Sequence, residues 1–119
     1  MLDALERLHN IGYIYNDLKL DNVMVGTGSL ETAHLIKLID FGLATRYLDA
    51  EGNHISNEKR EQFIGNLALS SCQAMGFQSV SRRDDLISLS YMLIYMIQGS
   101  LNFLNIDNLQ DLSQKQIFS

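Results

Sequence analysis

The sequence predicts a mainly α fold carrying one small β-hairpin, an α+β arrangement, on three observations. Apolar residues in the opening segment recur at helical spacing. Two short apolar stretches flank a glycine-containing turn. A nearly uninterrupted apolar run occupies residues 86–97. With 119 residues the chain is long enough for one domain around one core. Hydrophobic residues make up 46% and charged residues 19%, the balance of a globular chain rather than a disordered one.

In the first element, MLDALERLHNIG, the apolar positions Met1, Leu2, Ala4, Leu5, Leu8 and Ile11 fall close to helical spacing, and Gly12 is a suitable stop. No N-cap precedes this helix, so a domain truncated at its start is expected. Tyr13-Ile14-Tyr15 reads as short and extended. The polar stretch YNDLKLDN (15–22) then sits between apolar segments, either as an ordinary turn or as a site that rigid elements hold in place. VMVGTG reads as a short strand entering a turn, and HLIKLID (34–40) as a second strand with Asp40 at its end. Together they make the hairpin. From Phe41 to about Ser81 periodicity disappears, and a connection this long is expected to be functional or disordered.

The run at 86–97 is too short for a membrane span, which needs about 20 residues. A helix apolar nearly all round is expected to be central and buried. Asp84 and Asp85 suit its first turn and Gly99 its C-terminal end. Met92 and Met96 read as core filler on it. Residues 105–119 form a polar tail with no assigned structure.

Net charge is −5 and the pI is about 4.9, which argues against a nucleic-acid or anionic-membrane surface. Cys72 is the one cysteine, so no internal disulfide can form, and a buried or half-buried thiol in a reducing compartment is expected. No secretory leader is expected, and the protein is placed inside the cell, in cytoplasm or nucleus. His9 is expected to end a helix, His34 to start a strand and His54 to lie in a loop; none has a partner at metal-ligand spacing.

The chemistry concentrates in two motifs. Asp17, Lys19 and Asn22 form Asp-x-Lys-x-x-Asn, and Asp40-Phe41-Gly42 begins 18 residues after Asn22. Phosphoryl transfer needs these group types. A carboxylate orients the attacking hydroxyl and accepts its proton. A lysine faces the transferring phosphate. An amide oxygen and a second carboxylate hold Mg²⁺, which takes oxygen ligands. The predicted hairpin would bring Asn22 and Asp40 close.

These motifs, in this order, joined by a hairpin and followed by a long loop and an apolar helix, resemble the C-terminal lobe of a eukaryotic protein kinase. YNDLKLDN stands where that family has His-Arg-Asp-x-x-x-x-Asn, and the lysine two residues after the aspartate resembles the serine/threonine branch. LIDFGLATRY (38–47), HISNEKREQFIG (54–65) and SRRDDLISLSYMLIYMIQGSL (81–101) are similar to the casein kinase 1 family. The resemblance covers residues 1–104 as a partial kinase domain. It implies ATP-dependent phosphorylation of serine or threonine on protein substrates, with Mg²⁺ and with no nucleic-acid or membrane partner. Asp17 would be the catalytic base and Lys19 would contact the γ-phosphate. Asn22 and Asp40 would bind Mg²⁺, and Met24 would line the floor beneath the adenine. As structural support, Tyr15 and Phe41 would stack between lobes, Gly42 would let the chain turn after Asp40, and Asp85 would hold the catalytic loop by its backbone. Arg83 is a plausible structural contact.

Departures from the family pattern accompany the resemblance. Tyr15 and Asn16 replace family His and Arg; Leu20, Ser56 and Asn102 replace prolines; Asn66 replaces a threonine, from where it could hydrogen-bond near Asp17. The family's basic cluster for phosphorylated substrates falls on Asn16, Thr45, Glu61 and Ala68, none of them basic. The glycine-rich loop, the strand lysine and its glutamate partner of the N-terminal lobe are not among these residues. The 119-residue chain is therefore expected to be inactive alone and to expose apolar surface. The alternative is a pseudokinase, an interaction module without catalysis.

Overall fold

Why the polar loop sits where it does follows from the elements around it, seen here in a computed structural model described over residues 1–99. The described residues form three helices and two small antiparallel sheets: α1 (Leu2–Asn10), β1 (Tyr13–Ile14), β2 (Val23–Val25), β3 (Ile36–Leu38), β4 (Thr45–Arg46), α2 (Cys72–Met75) and α3 (Arg82–Gln98). Two 3-10 turns, Leu20–Asn22 and Leu67–Leu69, complete them. The domain boundary expected at 104, the tail 105–119 and Asn102 lie outside the described residues.

α1 buries Leu5 and His9 and ends as Gly12 turns left-handed at φ 90. The extended segment after it gains a partner that the sequence concealed. β1 pairs with β4, Tyr13 opposite Arg46 and Ile14 opposite Thr45, and the Tyr47 N–H extends the ladder to Gly12 O at 3.1 Å. The stretch expected to lack regular structure thus supplies a strand. It also contains the short helix α2, the 67–69 turn and two isolated bridges, Leu48–His54 and Lys59–Gln78.

The predicted hairpin forms, with Val23 opposite Leu38, Met24 opposite Lys37 and Val25 opposite Ile36. Its second strand is shorter than HLIKLID. His34, expected to start the strand, lies in the turn, and Asp40, expected at its end, lies beyond it in the left-handed conformation at φ 59. The turn demands glycine at 26, where a Cβ would stand 1.9 Å from the Thr32 carbonyl oxygen.

α3 starts where the Asp84 carboxylate accepts the Ser81 N–H at 2.7 Å, and it stops at left-handed Gly99. It buries Asp84, Asp85, Ser88, Leu89 and Met92, but Leu86, Leu93, Tyr95, Met96 and Ile97 are exposed. This corrects the expectation of a helix buried all round: among the described residues, α1, the 15–22 loop and the 67–75 segment cover one face only. Met92 is core filler as expected; Met96, on the uncovered side, is not. Cys72 is exposed rather than buried, because it opens the short α2 on its outer side.

The core has two clusters. Leu5, Tyr15, Leu18, Leu89 and Met92 join α1, the loop and α3; Ile14, Tyr47, Ala74 and Val80 join the β1–β4 pair to α2. Between them Asp84 accepts the Ser71 hydroxyl, and Ser71 Oγ in turn caps α2 by accepting the Ala74 N–H at 3.1 Å. The expected Arg83 contact is made to Asp84, at 3.1 Å. No helix among the described residues is long and apolar enough to cross a membrane.

Asp84 therefore ties α2 to α3. Asp84→Ala would strand the buried Ser71 hydroxyl and the Ser81 N–H and lower stability by about 2–3 kcal/mol. Urea unfolding checks this; an unchanged midpoint would show that the network contributes little.

Candidate active site

Buried carboxylates must be partnered, and the site is built on one. Asp85, 2% exposed, receives the Tyr15 N–H at 2.8 Å on Oδ2 and the Asn16 N–H at 2.9 Å on Oδ1. His9 Nε2 lies 2.7 Å from the same Oδ2. The start of the 15–22 loop is thereby pinned to the first turn of α3. Asn16 then takes the left-handed conformation, φ 68, which asparagine tolerates. Its amide nitrogen donates to Leu43 O at 2.8 Å and to Thr45 Oγ1 at 2.9 Å. From the other side Gly65, at φ 118, presses so closely that a Cβ would lie 2.3 Å from the Asn16 carbonyl oxygen.

With its entry fixed, the loop folds on itself. Asn22 Nδ2 donates to both the carbonyl and Oδ2 of Asp17, each at 2.9 Å. Lys19 Nζ lies 3.4 Å from that same Oδ2. Asp17 is 6% exposed and Asn22 is also buried. The hairpin carries Asp40 toward them: the Ile39 N–H donates to Asn22 O at 3.0 Å, one residue before Asp40. Asp40 is exposed, and its Oδ1 accepts the Gly42 N–H at 3.1 Å.

Tyr15 joins the two motifs. It is fully buried, its hydroxyl donates to Ile39 O, and its ring meets Phe41 edge-on at 5.4 Å between centroids. Burial, then the negative charges of Asp17 and Asp40, push its phenol up to about 12; Asn22 opposes this and Asp85 adds to it. Both carboxylates thus act on one buried hydroxyl.

The structure brings Asp17, Lys19 and Asn22 into direct contact and ties Asp40 to them through the backbone. Tyr15, Phe41, Gly42 and Asp85 surround that group. Met24 stands apart, 52% exposed on β2. Asn66, read from sequence as able to bond near Asp17, instead directs Oδ1 to the Leu69 N–H at 3.3 Å. Two residues escaped sequence reasoning, His9 and Tyr47, whose hydroxyl donates to His9 O at 2.6 Å. A signal for His9 existed: it lies four residues after Leu5, on the apolar face of α1, where a polar ring needs a partner.

A helix-anchored loop thus carries aspartate, lysine and asparagine and is joined by a hairpin to an Asp-Phe-Gly turn, which places on one side of the fold the group types that phosphoryl transfer requires. Residues 1–119 match the protein kinase domain family, and the chain belongs to it. It is 40% identical over 103 residues to casein kinase 1-like protein HD16 of Oryza sativa subsp. japonica, covering 84% of this chain and 14% of that protein. It is 33% identical over 102 residues to casein kinase I homolog 2 of Schizosaccharomyces pombe, covering 85% and 23%. The chain spans less than a quarter of the length of either relative.

The raised Tyr15 phenol has a measurable consequence. Folding holds the proton more tightly than the unfolded chain does, so its stabilising contribution is complete below pH 10 and is lost as pH rises toward 12. In an ultraviolet titration, one of the five tyrosines should ionise near pH 12, and Tyr15→Phe should remove that phase. A Tyr15 ionising at the ordinary phenol value of about 10 would contradict the buried, acid-flanked geometry.

Proposed function

We propose that residues 1–104 are part of the C-terminal lobe of a serine/threonine protein kinase of casein kinase 1 type. The observation that carries this reading is the Asn22 bridge, side chain to Asp17 at 2.9 Å and backbone to Ile39 at 3.0 Å, which joins the two motifs.

Asp17 would orient the substrate hydroxyl and accept its proton. Lys19, held beside it, would face the γ-phosphate of ATP. The donor set fits Mg²⁺. Asn22 turns its nitrogen onto Asp17, which reserves the amide oxygen for other partners. Asp40 uses one carboxylate oxygen on Gly42, and no donor among the described residues takes the other. When bound, the ion would neutralise charge on the phosphates. Met24 would lie beneath the adenine. The glycine-rich loop and strand lysine that complete such a site lie outside these residues, so the 119-residue chain alone would not transfer phosphate. The setting would be intracellular.

One observation favours the second reading, a non-catalytic interaction module: Asn66 caps the 67–69 turn and so leaves Asp17 without the contact its position could supply. Calorimetry of Mg²⁺-dependent ATP binding separates the two. The kinase reading expects Asp40→Asn to weaken binding at least about tenfold, the scale of losing a charged partner at a phosphate site. Equal affinities would favour the interaction module.

Substrate preference follows from Asn16 and Thr45, which bond to each other as a neutral pair where the family's basic cluster falls. With no cation there, an already phosphorylated peptide gains nothing. In a longer protein carrying the full kinase domain, kcat/KM for a primed peptide should not exceed that for its unprimed match; a clear preference for the primed peptide would refute this.

A further inference from the structure

We infer that a recess beside the 15–22 loop takes an apolar side chain of the protein substrate and so sets sequence preference next to the phosphorylated residue. The recess has a volume of about 190 Å³ and is lined by Leu20, Asn66, Ala68, Leu69, Met92 and Tyr95. Apart from the Asn66 amide and the Tyr95 hydroxyl these side chains are apolar, and none of them is charged. Three segments supply them. Leu20 opens the 3-10 turn that ends at Asn22. Asn66, Ala68 and Leu69 belong to the 67–69 turn and its cap. Met92 and Tyr95 come from α3.

The walls are fixed. Met92, 2% exposed, is part of the first core cluster, and Leu69 packs against that cluster. The 67–69 turn is closed by the Leu69 N–H on Asn66 Oδ1 at 3.3 Å and by the Ser70 hydroxyl on Asn66 O at 2.5 Å. The Ser88 hydroxyl of α3 donates to Leu69 O at 2.6 Å, which fastens the turn to the helix. On the loop side, the Asn22 N–H closes the turn on Lys19 O at 3.1 Å, and the Asn22 side chain is held by Asp17. Leu20 and Tyr95 nevertheless stand 41% and 42% exposed, so the rim is both apolar and open to solvent. An apolar cavity of about 150 Å³ accepts a benzene-sized group, so a leucine-sized side chain finds room here.

Position selects the occupant. Leu20 is three residues from Asp17, at most about 10 Å along the chain. Asn66 follows Gly65, whose backbone lies against Asn16. An extended peptide advances about 3.3 Å per residue. One that presents a hydroxyl to Asp17 therefore passes the rim within about three residues of that hydroxyl. A phosphate or carboxylate there would lose water and meet no cation in the lining, whereas an aliphatic side chain gains burial against Leu20, Leu69 and Met92.

This rests on the reading of Asp17 as the residue that faces the substrate hydroxyl, and two readouts separate the claims. Short serine peptides would carry one leucine, aspartate or phosphoserine at each of three positions on either side of the serine. Titrated into the 119-residue chain with labelled methyl groups, the leucine peptide of one register should shift Ala68, Leu69 and Met92. It should bind at least about tenfold more tightly than its aspartate and phosphoserine counterparts. Ala68→Arg, which brings a guanidinium to the recess, should remove that preference; if this variant does not fold, Leu20→Asp, at an exposed position, makes the same test. In a longer protein carrying the full kinase domain, kcat/KM should rank the peptides in the same order. Leucine-selective binding at the recess without phosphate transfer would sink the kinase reading and uphold the recess. Equal binding of leucine and aspartate peptides in every register would overturn the inference, as would Met92 methyl contacts in the free chain to residues beyond Gly99.

Discussion

The site depends on one buried carboxylate. Removing a carboxylate from water costs several kcal/mol unless donors replace the lost hydration. Asp85 obtains three, from α1 and from two successive loop amides. The requirement acts in both directions. The loop cannot leave without exposing an unpaired charge in the core, and α3 cannot turn without dragging the loop along. Because Asp85 sits in the first turn of a 17-residue helix capped by its neighbour Asp84, the loop inherits the rigidity of that helix. The polar stretch 15–22 is therefore held by its backbone, which leaves the side chains of Asp17, Lys19 and Asn22 to arrange themselves about one another.

Tyr15 forms the second point of control. Its backbone belongs to the Asp85 clamp, while its hydroxyl reaches across to Ile39, immediately before the Asp-Phe-Gly turn. One residue thus sets the separation between the two motifs. Burial, and then two carboxylates in its field, keep the phenol protonated, and a protonated phenol is what the Ile39 carbonyl requires of a donor. Phe41, edge-on to the same ring, is itself half exposed. Met24, Val25, Leu35, Ile36 and Ile39 are likewise exposed along the hairpin and just beyond it.

Much of this was legible because its signals are local. The 3–4 spacing of Leu5 and Leu8 marked α1, the Gly-Thr-Gly turn between apolar stretches marked the hairpin, and the acids before an apolar run marked the start of α3. Asp17, Lys19, Asn22 and Asp40 were visible because the chemistry they suit demands those groups at short spacings. Other features carried no local signal. β4 is two residues long and exists because β1, more than 30 residues earlier, offers it a ladder. His9 finds Asp85 76 residues away. Asn66 looked free to approach Asp17, yet the nearer unpaired Leu69 N–H claims it.

α3 shows where the division falls. By itself the sequence determined that the run 86–97 is helical, that Asp84 and Asp85 lie in its first turn and Gly99 at its end, and which side chains are apolar, because each of these is set within a turn or two of the chain. It could not determine that Met92 is buried and Met96 exposed, since both are apolar and four residues apart on neighbouring positions of one stripe. Only the tertiary structure decided that, by laying α1 and the loop against a single face. The reason is that helix formation is governed by neighbours along the chain, whereas burial is governed by whatever distant segment arrives, and here that segment arrived through the hydrogen bonds of Asp85.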